Sequence, residues 1–505
     1  MGQQWDEEYD VVVVGSGAGA LTGAHLAARA GRSVVVVEKT DRVGGMASYS
    51  GAALWLPGTQ VQERAGVGDS TESARTYLRA VLGPAEAAKQ DAFVEAAPAV
   101  VAALEEDPAV EFAHQVFPDY FDRPGRIPGG RSIIPVDIAP EELGELLHLV
   151  RPPASRDRVG LDHSPEPLTR GRALIARLLL AFARTGRGVV HTGTCVDELV
   201  TDGDRMIGIA AERGGRRVRI GARQAVLLAA GGFEHDAGMR GEHGVAGEAA
   251  WSMAPEGTNT GEPLRAAMAL GAATDLMHEA WWGTGLAMPD GTAGFIAGFA
   301  GGLVVDGRGH RYTNESLSYE RLAREMAADP ARTPSYALFD HRTGGHLPAV
   351  VVPAGHPEDH LAAGTWTKAD TLAELAESIG VAPEELTATV ERYNRFAESG
   401  TDEDFGREAD EYGRWFGEPV LVPVDRPPYY AAKLVLADLG TKGGLVIDVA
   451  GRVLRADGTP IPGLYAAGNT SASFTGAFYP GPGTPIATAM VFAALAVQDV
   501  LDAYR

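Results

Sequence analysis

The sequence predicts an α/β protein built around a Rossmann-like domain, and three features near the N-terminus indicate this class. A continuous run of β-branched residues, Val11–Val14, is typical of a buried parallel strand. A glycine-rich turn and an alanine-rich apolar segment follow it directly. A second valine run then ends at Glu38. The order strand, turn, helix, strand is that of the first unit of a doubly wound sheet.

The turn after the first strand has the G-x-G-x-x-G/A spacing of a dinucleotide site, formed by Gly15, Gly17, Ala18, Gly19 and Ala20. Glycine permits the tight turn and lets a pyrophosphate approach the backbone at the helix N-terminus. The segment 21–30 is predicted to be helical and to end at Gly31. Glu38 closes the second strand about twenty residues after the glycines, where a carboxylate binds ribose hydroxyls. Together these features predict a dinucleotide site.

The amino-acid composition limits which partners the protein can bind and in which cellular compartment it is expected. The 505 residues suit two or three domains, and the net charge of −23 argues against a nucleic-acid partner. Cys195 is the only cysteine, which excludes an internal disulfide and fits a reducing cytoplasm. His191 and His235 have no partner at metal-ligand spacing, so we expect no metal. We expect no signal peptide, because the first ten residues are acidic and polar. We also expect no stable membrane span, because no apolar run reaches the required length and the longest candidate, 294–305, is short and glycine-rich.

Further along the chain, periodicity predicts alternating helical and extended regions. The segments 60–110 and 140–186 are predicted to be largely helical, and 189–232 to form short strands. The segment 371–400 is typical of two helices joined at a glycine. The acidic segment 401–415 is predicted to be a solvated loop.

The stretch FYPGPGTP, 478–485, precedes an apolar segment that is predicted to be a buried helix. Thr484 is the expected N-cap and Pro485 the first helical residue. The N–H groups at such a helix start attract an anion or a polarised carbonyl, and glycine lets the ligand approach. Two interpretations stay open on this stretch alone: a ligand site, or a tight interdomain turn with a packed Tyr479.

Three segments resemble FAD flavoproteins related to fumarate reductase. The first is the loop after the second strand, with Glu38, Lys39, Gly44, Gly45, Ser50 and Gly51. The others are two late strands that end in small residues, at Ala230 and Gly231 and at Gly468 and Asn469. Pro485 is likewise expected to contact the cofactor. The resemblance implies a discontinuous FAD-binding domain, 1–278 and 441–505, with an inserted α+β catalytic or capping domain, 279–440. No histidine follows Gly45 where covalent members carry one, so we expect noncovalent FAD.

Three longer phrases, at 54–83, 439–458 and 478–485, resemble 3-ketosteroid Δ1-dehydrogenase, and the likeness runs from residue 9 to the C-terminus. This family removes a C2 proton and a C1 hydride from the A ring of a 3-ketosteroid, with the hydride passing to flavin N5. The resemblance implies that Tyr479 and the Gly483 N–H bind the C3 oxygen. It also implies that Tyr319 is the general base and that Tyr120 donates a hydrogen bond to Tyr319.

Alternatives remain for each of these assignments. A single buried tyrosine is more often an ordinary core residue than a catalytic one. Several apolar residues are as consistent with ordinary core as with a substrate pocket: Trp281, Trp282, Phe295, Ile296 and Phe299. A 3-ketosteroid Δ4-(5α)-dehydrogenase and a fumarate reductase-type dicarboxylate enzyme share the expected fold. We expect a monomer and a quinone or carrier as electron acceptor, and a loose membrane association stays open.

Overall fold

The computed structural model describes residues 4–505, which divide into two units. The first comprises the chain up to Gly244, Ala254–Glu279 and Gly440–Arg505, and the second comprises Val245–Met253 and Ala280–Leu439. The short segment 245–253 joins the second unit because the Met253 N–H donates to the Asp438 carbonyl at 2.9 Å and the Ser252 hydroxyl donates to the Asp438 carboxylate at 2.8 Å. The domain boundaries expected from the sequence stay a prediction.

The strands of the described residues are, in chain order, β1 (Glu7–Val14), β2 (Val34–Val37), β3 (Leu54–Trp55), β4 (Phe112–His114), β5 (Ser132–Pro135), β6 (Gly188–His191), β7 (Thr194–Asp202), β8 (Arg205–Arg213), β9 (Arg216–Leu228), β10 (Thr274–Asp275), β11 (Ala280–Ala287), β12 (Ala293–Phe299), β13 (Leu303–Val305), β14 (Ser335–Asp340), β15 (Ala349–Val352), β16 (Trp366–Ala369), β17 (Tyr429–Thr441), β18 (Gly444–Leu445), β19 (Arg452–Leu454) and β20 (Pro460–Ala466).

The α-helices are, in chain order, α1 (Ala18–Arg29), α2 (Gln60–Arg64), α3 (Thr71–Leu82), α4 (Ala87–Glu105), α5 (Pro140–Leu143), α6 (Ala154–Asp157), α7 (Arg170–Arg184), α8 (Ala237–His243), α9 (Glu262–Ala269), α10 (Tyr319–Ala327), α11 (Pro357–Ala363), α12 (Leu372–Ile379), α13 (Pro383–Ser399), α14 (Glu411–Phe416) and α15 (Thr484–Ala503).

A largely parallel sheet forms the centre of the first unit, in the order β19-β20-β9-β1-β2-β6. Residues Val11–Val14 pair with Val34–Val37 on one side and with β9 on the other, and the eight valines are all buried. Because both faces of these central strands are covered, a continuous valine run suits them better than an alternating pattern. The predicted α/β class is confirmed. The late strand β20 lies parallel to β9, with Leu464 opposite Val226.

The helices of the first unit agree with the sequence in part. Helix α1 starts three residues before the predicted 21–30 and ends before Gly31, and α2, α3 and α4 fill most of 60–110. The expectation that 140–186 is largely helical was wrong for the stretch between α6 and α7, which has no helical residues. A three-stranded sheet, β3-β5-β4, is formed by strands that come before α2 and after α4 in the chain. It carries part of the site described below.

The C-terminal helix α15 is the one helix among residues 4–505 that is long and apolar enough to cross a membrane. The expectation that no apolar run reaches the length of a membrane span was therefore wrong. Most of this helix is buried against the first unit. An added Cβ at Gly19 of α1 would lie 2.7 Å from the Ala489 carbonyl oxygen, so the two helices pack closely. These are the features of a core helix.

The second unit is built on the sheet β13-β14-β17-β11-β12-β15, with β16 beside β17. Helices α12 and α13 pack apolar residues over it, and Gly380 between them has a φ of 76°. The predicted helix pair is therefore confirmed.

The segment 401–415 is only in part the solvated loop that its acidity predicted. About half of its residues are exposed, but a 3₁₀ turn, most of helix α14 and several buried side chains lie within it. Asp402 is buried and accepts two hydrogen bonds of 2.8 Å from Arg311. Arg407 is fully buried and pairs with Glu315 at 3.2 Å. The acidic composition of the segment predicted exposure to solvent. The groups that compensate its buried charges lie about ninety positions upstream in the chain, so the local sequence did not indicate them.

Candidate active site

The glycine turn between β1 and α1 has the geometry of a phosphate-binding turn. Gly15 has a φ of 99°, and a Cβ there would lie 2.3 Å from the Ala229 carbonyl oxygen, so the neighbouring strand requires glycine. At Gly17, the N-cap of α1, an added Cβ would meet nothing within 4 Å. Open space therefore lies at a helix N-terminus without a side-chain cap, as a pyrophosphate requires. Ala18 and Ala20 are buried in the first turn of α1.

The acid at the end of β2 is held by hydroxyl groups. Glu38 accepts hydrogen bonds from the Ser16 hydroxyl and from the Thr40 N–H, the latter at 2.9 Å. Ser16 also accepts a bond of 3.0 Å from the Gly44 N–H, so one side chain connects the glycine turn, the acid and the next loop. The sequence analysis missed Ser16 because it occupies a variable position of the motif. Lys39 forms a 2.7 Å ion pair with Glu262.

The loop after β2 is a short 3₁₀ turn, Gly45–Tyr49, with Gly44 before it at a φ of 112°. Added Cβ atoms at Gly45 and Gly51 would meet nothing within 4 Å. Ser50 donates a hydrogen bond of 2.7 Å to the Ala47 carbonyl and so closes the turn. The loop therefore presents bare backbone beside the dinucleotide turn.

The two late strands are connected at their ends by one hydroxyl. Thr470 accepts from the Ala230 N–H at 2.9 Å and donates to the Gly231 carbonyl at 2.8 Å. Gly468 and Asn469 lie in the same 3₁₀ turn as Thr470. The predicted FAD-binding residues of β9 and β20 are thus brought together in the first unit.

Behind this junction, the fully buried Glu234 accepts a bond of 3.2 Å from the Thr441 N–H. Neither Thr470 nor Glu234 was predicted from the sequence. Taken together, the open helix start, the acid and the bare-backbone loops fit a dinucleotide such as FAD.

The turn at 478–483 brings Tyr479 and Gly483 together. Tyr479 is 3% exposed, and its phenol oxygen accepts a long hydrogen bond of 3.4 Å from the Gly483 N–H. Gly483 has a φ of 84°, and an added Cβ would lie 1.7 Å from the Ala53 carbonyl oxygen. The phenol and the backbone N–H are therefore neighbours at the start of α15.

The helix start differs from the expectation in one respect. Gly483, and not Thr484, is the N-cap, and Pro485 lies in the first turn. The Thr484 hydroxyl donates to the Gly481 carbonyl at 2.7 Å instead of accepting a helix N–H. The prediction of Thr484 as N-cap was wrong because the turn before the helix needs a left-handed residue, which favours glycine.

Tyr120 lies beside this turn. Its ring packs edge-on against Tyr479 with centroids 5.4 Å apart, and its N–H donates to the Pro480 carbonyl at 3.1 Å. Three of the four predicted catalytic residues are thus neighbours in the first unit. Tyr319 belongs to the second unit, where it is the first residue of α10, is 7% exposed and packs edge-on against Phe295 at 4.8 Å.

Charges next to Tyr120 are buried and paired. Asp119 accepts from the Trp55 indole N–H at 2.8 Å and pairs with the fully buried Arg131 at 3.2 Å. Burial raises the pKa of Asp119, although the Arg131 guanidinium opposes this. Arg131 also pairs with Asp69 at 2.9 Å. Lys442 is fully buried as well and donates to the Phe478 carbonyl, next to Tyr479, at 2.6 Å.

No group of three or more His, Cys, Asp and Glu residues within 4–505 has the arrangement of a metal site.

Comparison with known proteins places the chain. Residues 10–486 match the family model described as "FAD binding domain". The 3-oxosteroid 1-dehydrogenase of Rhodococcus opacus is 42% identical over 99% of this chain and 99% of its own length. The 4-oxocyclohexanecarboxylate 2-dehydrogenase of Sinomonas cyclohexanicum is 36% identical over 97% of this chain and 92% of its own length.

Among solved structures, 3-ketosteroid Δ1-dehydrogenase from Sterolibacterium denitrificans, in complex with 1,4-androstadiene-3,17-dione, superimposes with a TM-score of 0.90. The two chains are 31% identical, and the match covers 98% of this chain and 100% of the other. The fold and the site thus define an FAD flavoprotein oxidoreductase. The chain belongs to the 3-ketosteroid Δ1-dehydrogenase family, which confirms the resemblance seen in the sequence.

Proposed function

We propose that the chain is an FAD-dependent 3-ketosteroid Δ1-dehydrogenase. It removes one hydrogen each from C1 and C2 of the steroid A ring and leaves a 1-ene, or a 1,4-dien-3-one when the substrate is a 4-ene. The observation that carries this proposal is the buried contact between the Tyr479 phenol and the Gly483 N–H, which brings two groups that can donate to a ketone oxygen next to each other. The 42% identity to a 3-oxosteroid 1-dehydrogenase over nearly the whole chain supports it.

The chemistry explains why such a pair is needed. The C2 proton of a ketosteroid is acidic only because its loss gives an enolate at C3. Two donors aimed at the C3 oxygen stabilise the charge that develops there, and they do so best where water is excluded. Tyr479 is buried and the turn holding Gly483 is packed tightly, which supports the proposal that a ketone oxygen accepts from the phenol and replaces the phenol oxygen as acceptor of the Gly483 N–H.

The proton leaves C2 for the Tyr319 oxygen in this proposal, and the Tyr120 phenol donates a hydrogen bond that stabilises the Tyr319 phenolate. An ordinary phenol has a pKa near 10, so a neighbour of this kind is required for a tyrosine base at neutral pH. Tyr120 would supply this without adding a charge to an apolar pocket. The two roles rest on the family resemblance.

FAD, when bound, supplies the acceptor for the hydride that leaves C1. The residues proposed to hold it are those of the glycine turn, the acid, the 44–51 loop and the junction of β9 and β20. We further propose that FAD is noncovalent and that a quinone or a carrier reoxidises it. We also propose that the protein is a cytoplasmic monomer, either free or loosely associated with a membrane.

The experiment is steady-state turnover of the purified protein with an artificial electron acceptor and three substrates in parallel. A 3-keto-4-ene steroid should be consumed at a rate at least about tenfold above 4-oxocyclohexanecarboxylate, and succinate should not react. Preference for the small carboxylate would assign the chain to the function named for its Sinomonas relative. Preference for succinate would contradict the ketone-binding pair altogether.

A further inference from the structure

Two buried hydroxyl groups hold the 478–483 turn from outside it. The Ser132 hydroxyl, on β5, donates to the Pro482 carbonyl at 2.9 Å. The Tyr77 phenol, on α3, donates to the Pro480 carbonyl at 2.7 Å. Both side chains are 0% exposed. Neither belongs to the predicted catalytic set, and each is a long way from the turn along the chain.

Ser132 acts on the peptide group that contains the proposed oxyanion donor. The Pro482 carbonyl and the Gly483 N–H belong to one planar peptide unit, so a bond that fixes the oxygen also fixes the direction of the N–H. Accepting a hydrogen bond polarises the peptide and strengthens its N–H as a donor. The Ser132 hydroxyl therefore sets both the aim and the strength of the Gly483 N–H.

Tyr77 connects the two segments that carry the other phenols. Its oxygen donates to the Pro480 carbonyl and accepts from the Phe121 N–H at 3.1 Å. The same carbonyl accepts from the Tyr120 N–H at 3.1 Å. Burial and the nearby Asp119 raise the pKa of Tyr77, so its phenol keeps the proton that it donates. The Tyr77 hydroxyl thus adds a second connection, beside the direct backbone bond, between the segment at Tyr120 and the backbone after Tyr479.

The residues packed beneath the 478–483 turn leave no room for it to shift towards them. An added Cβ at Gly481 would lie 2.5 Å from the Trp55 ring, and one at Gly483 would strike the backbone just before β3. The turn therefore packs tightly against β3 and the residue before it. The hydroxyl groups of Ser132 and Tyr77 fix the orientation of its carbonyl groups.

We propose that Ser132 and Tyr77 are positioning residues of the ketone-binding pair, Ser132 through the Pro482–Gly483 peptide and Tyr77 through the Pro480 carbonyl. This inference rests on the proposed function, because it assumes that the pair binds a ketone oxygen. It adds two groups that touch neither the substrate nor the flavin.

The test uses the purified FAD-loaded enzyme with Ser132→Ala and Tyr77→Phe. Each change removes one hydroxyl and keeps most of the side-chain volume. Equilibrium dialysis gives the Kd of 1,4-androstadiene-3,17-dione and of the same skeleton without the C3 oxygen. The ratio of the two Kd values measures how well the pair grips the ketone, independently of turnover.

The matched control is Tyr465→Phe. Tyr465 is also buried and donates to Asp499 at 2.7 Å, near the far end of α15. That carboxylate lies sixteen residues beyond Gly483, or about 24 Å along the helix axis. Removal of the Tyr465 hydroxyl therefore measures the general effect of deleting a buried hydroxyl group from the same unit.

We expect the preference for the ketone to fall about five- to tenfold in Ser132→Ala and in Tyr77→Phe, kcat to fall about tenfold, and KM to change less than kcat. The control should keep both the preference and kcat. A wild-type enzyme that binds both ligands equally would overturn the proposed function itself. A wild-type enzyme that prefers the ketone, with variants that keep this preference within twofold or lose affinity for both ligands equally, would overturn the positioning role alone. If Tyr77→Phe does not fold, Ser132→Ala decides the question.

Discussion

Gly483→Ala should inactivate the enzyme without preventing it from folding. Gly483 has a φ of 84°, a left-handed conformation that costs a residue with a Cβ about 1–2 kcal/mol. The new Cβ would also lie 1.7 Å from the Ala53 carbonyl oxygen. Normal contact requires the turn to retreat by more than ~1 Å, and a misplacement of that size costs on the order of 10²-fold in rate.

The assay compares kcat, KM, FAD content and thermal midpoint with those of Gly458→Ala. Gly458 has nearly the same φ, 82°, but an added Cβ there would meet nothing within 4 Å. The control therefore has the backbone cost without the displacement. Both variants should lose about 1–2 kcal/mol of stability from the backbone, and only Gly483→Ala should lose kcat about 10²-fold or more. A Gly483→Ala enzyme with kcat within threefold of the control would refute the oxyanion role of this N–H.

Three further predictions concern other parts of the chain. Tyr319→Phe should keep FAD, since the predicted nucleotide residues all lie in the other unit, and should lower kcat about 10²- to 10⁴-fold; near-normal turnover would remove Tyr319 from the base role. Burial alone would raise the pKa of Glu7, but hydrogen bonds led by that from Arg213 lower it to about 2, so its stabilising contribution is present above pH 4.5 and is lost as the pH falls towards 2. Glu7→Gln should therefore reduce the free energy of unfolding at pH 7 by about 1–2 kcal/mol and flatten its decline below pH 4.5, and an unchanged acid profile would contradict this. Arg407→Met should cost about 2–4 kcal/mol in denaturant titrations because it leaves buried carboxylate charge less compensated, whereas Arg392→Met, at an exposed pair, should change stability little; equal losses would contradict the burial argument.

The local patterns of the chain were sufficient for the nucleotide end of the fold. Val11–Val14 and Val34–Val37 could be recognised as buried parallel strands because covered strands need no polar face. The glycine spacing and Glu38 are likewise local, and the structure places them where the motif predicts.

The groups that the sequence analysis missed act across long separations. Ser132 and Tyr77 lie 350 and 403 positions from the carbonyls they bind, so no window of sequence contains both partners. Thr470 likewise lies 240 positions from Ala230, whereas Ser16 lies only 22 positions from Glu38 and was missed because it occupies a variable position of the motif. The wrong prediction of Thr484 as N-cap has a different cause. Threonine is a good N-cap residue, but the turn before α15 needs a left-handed backbone at that position, which favours Gly483.

The most direct test of the central claim is anaerobic mixing of the FAD-loaded protein with a 3-keto-4-ene steroid, following the flavin absorbance and then the mass and structure of the product. The account predicts that the flavin bleaches as the steroid is consumed, and that the product is lighter by two hydrogens with its new double bond between C1 and C2. A flavin that stays oxidised, or a new double bond at any other position, would contradict the assignment of the ketone-binding pair and of the tyrosine base.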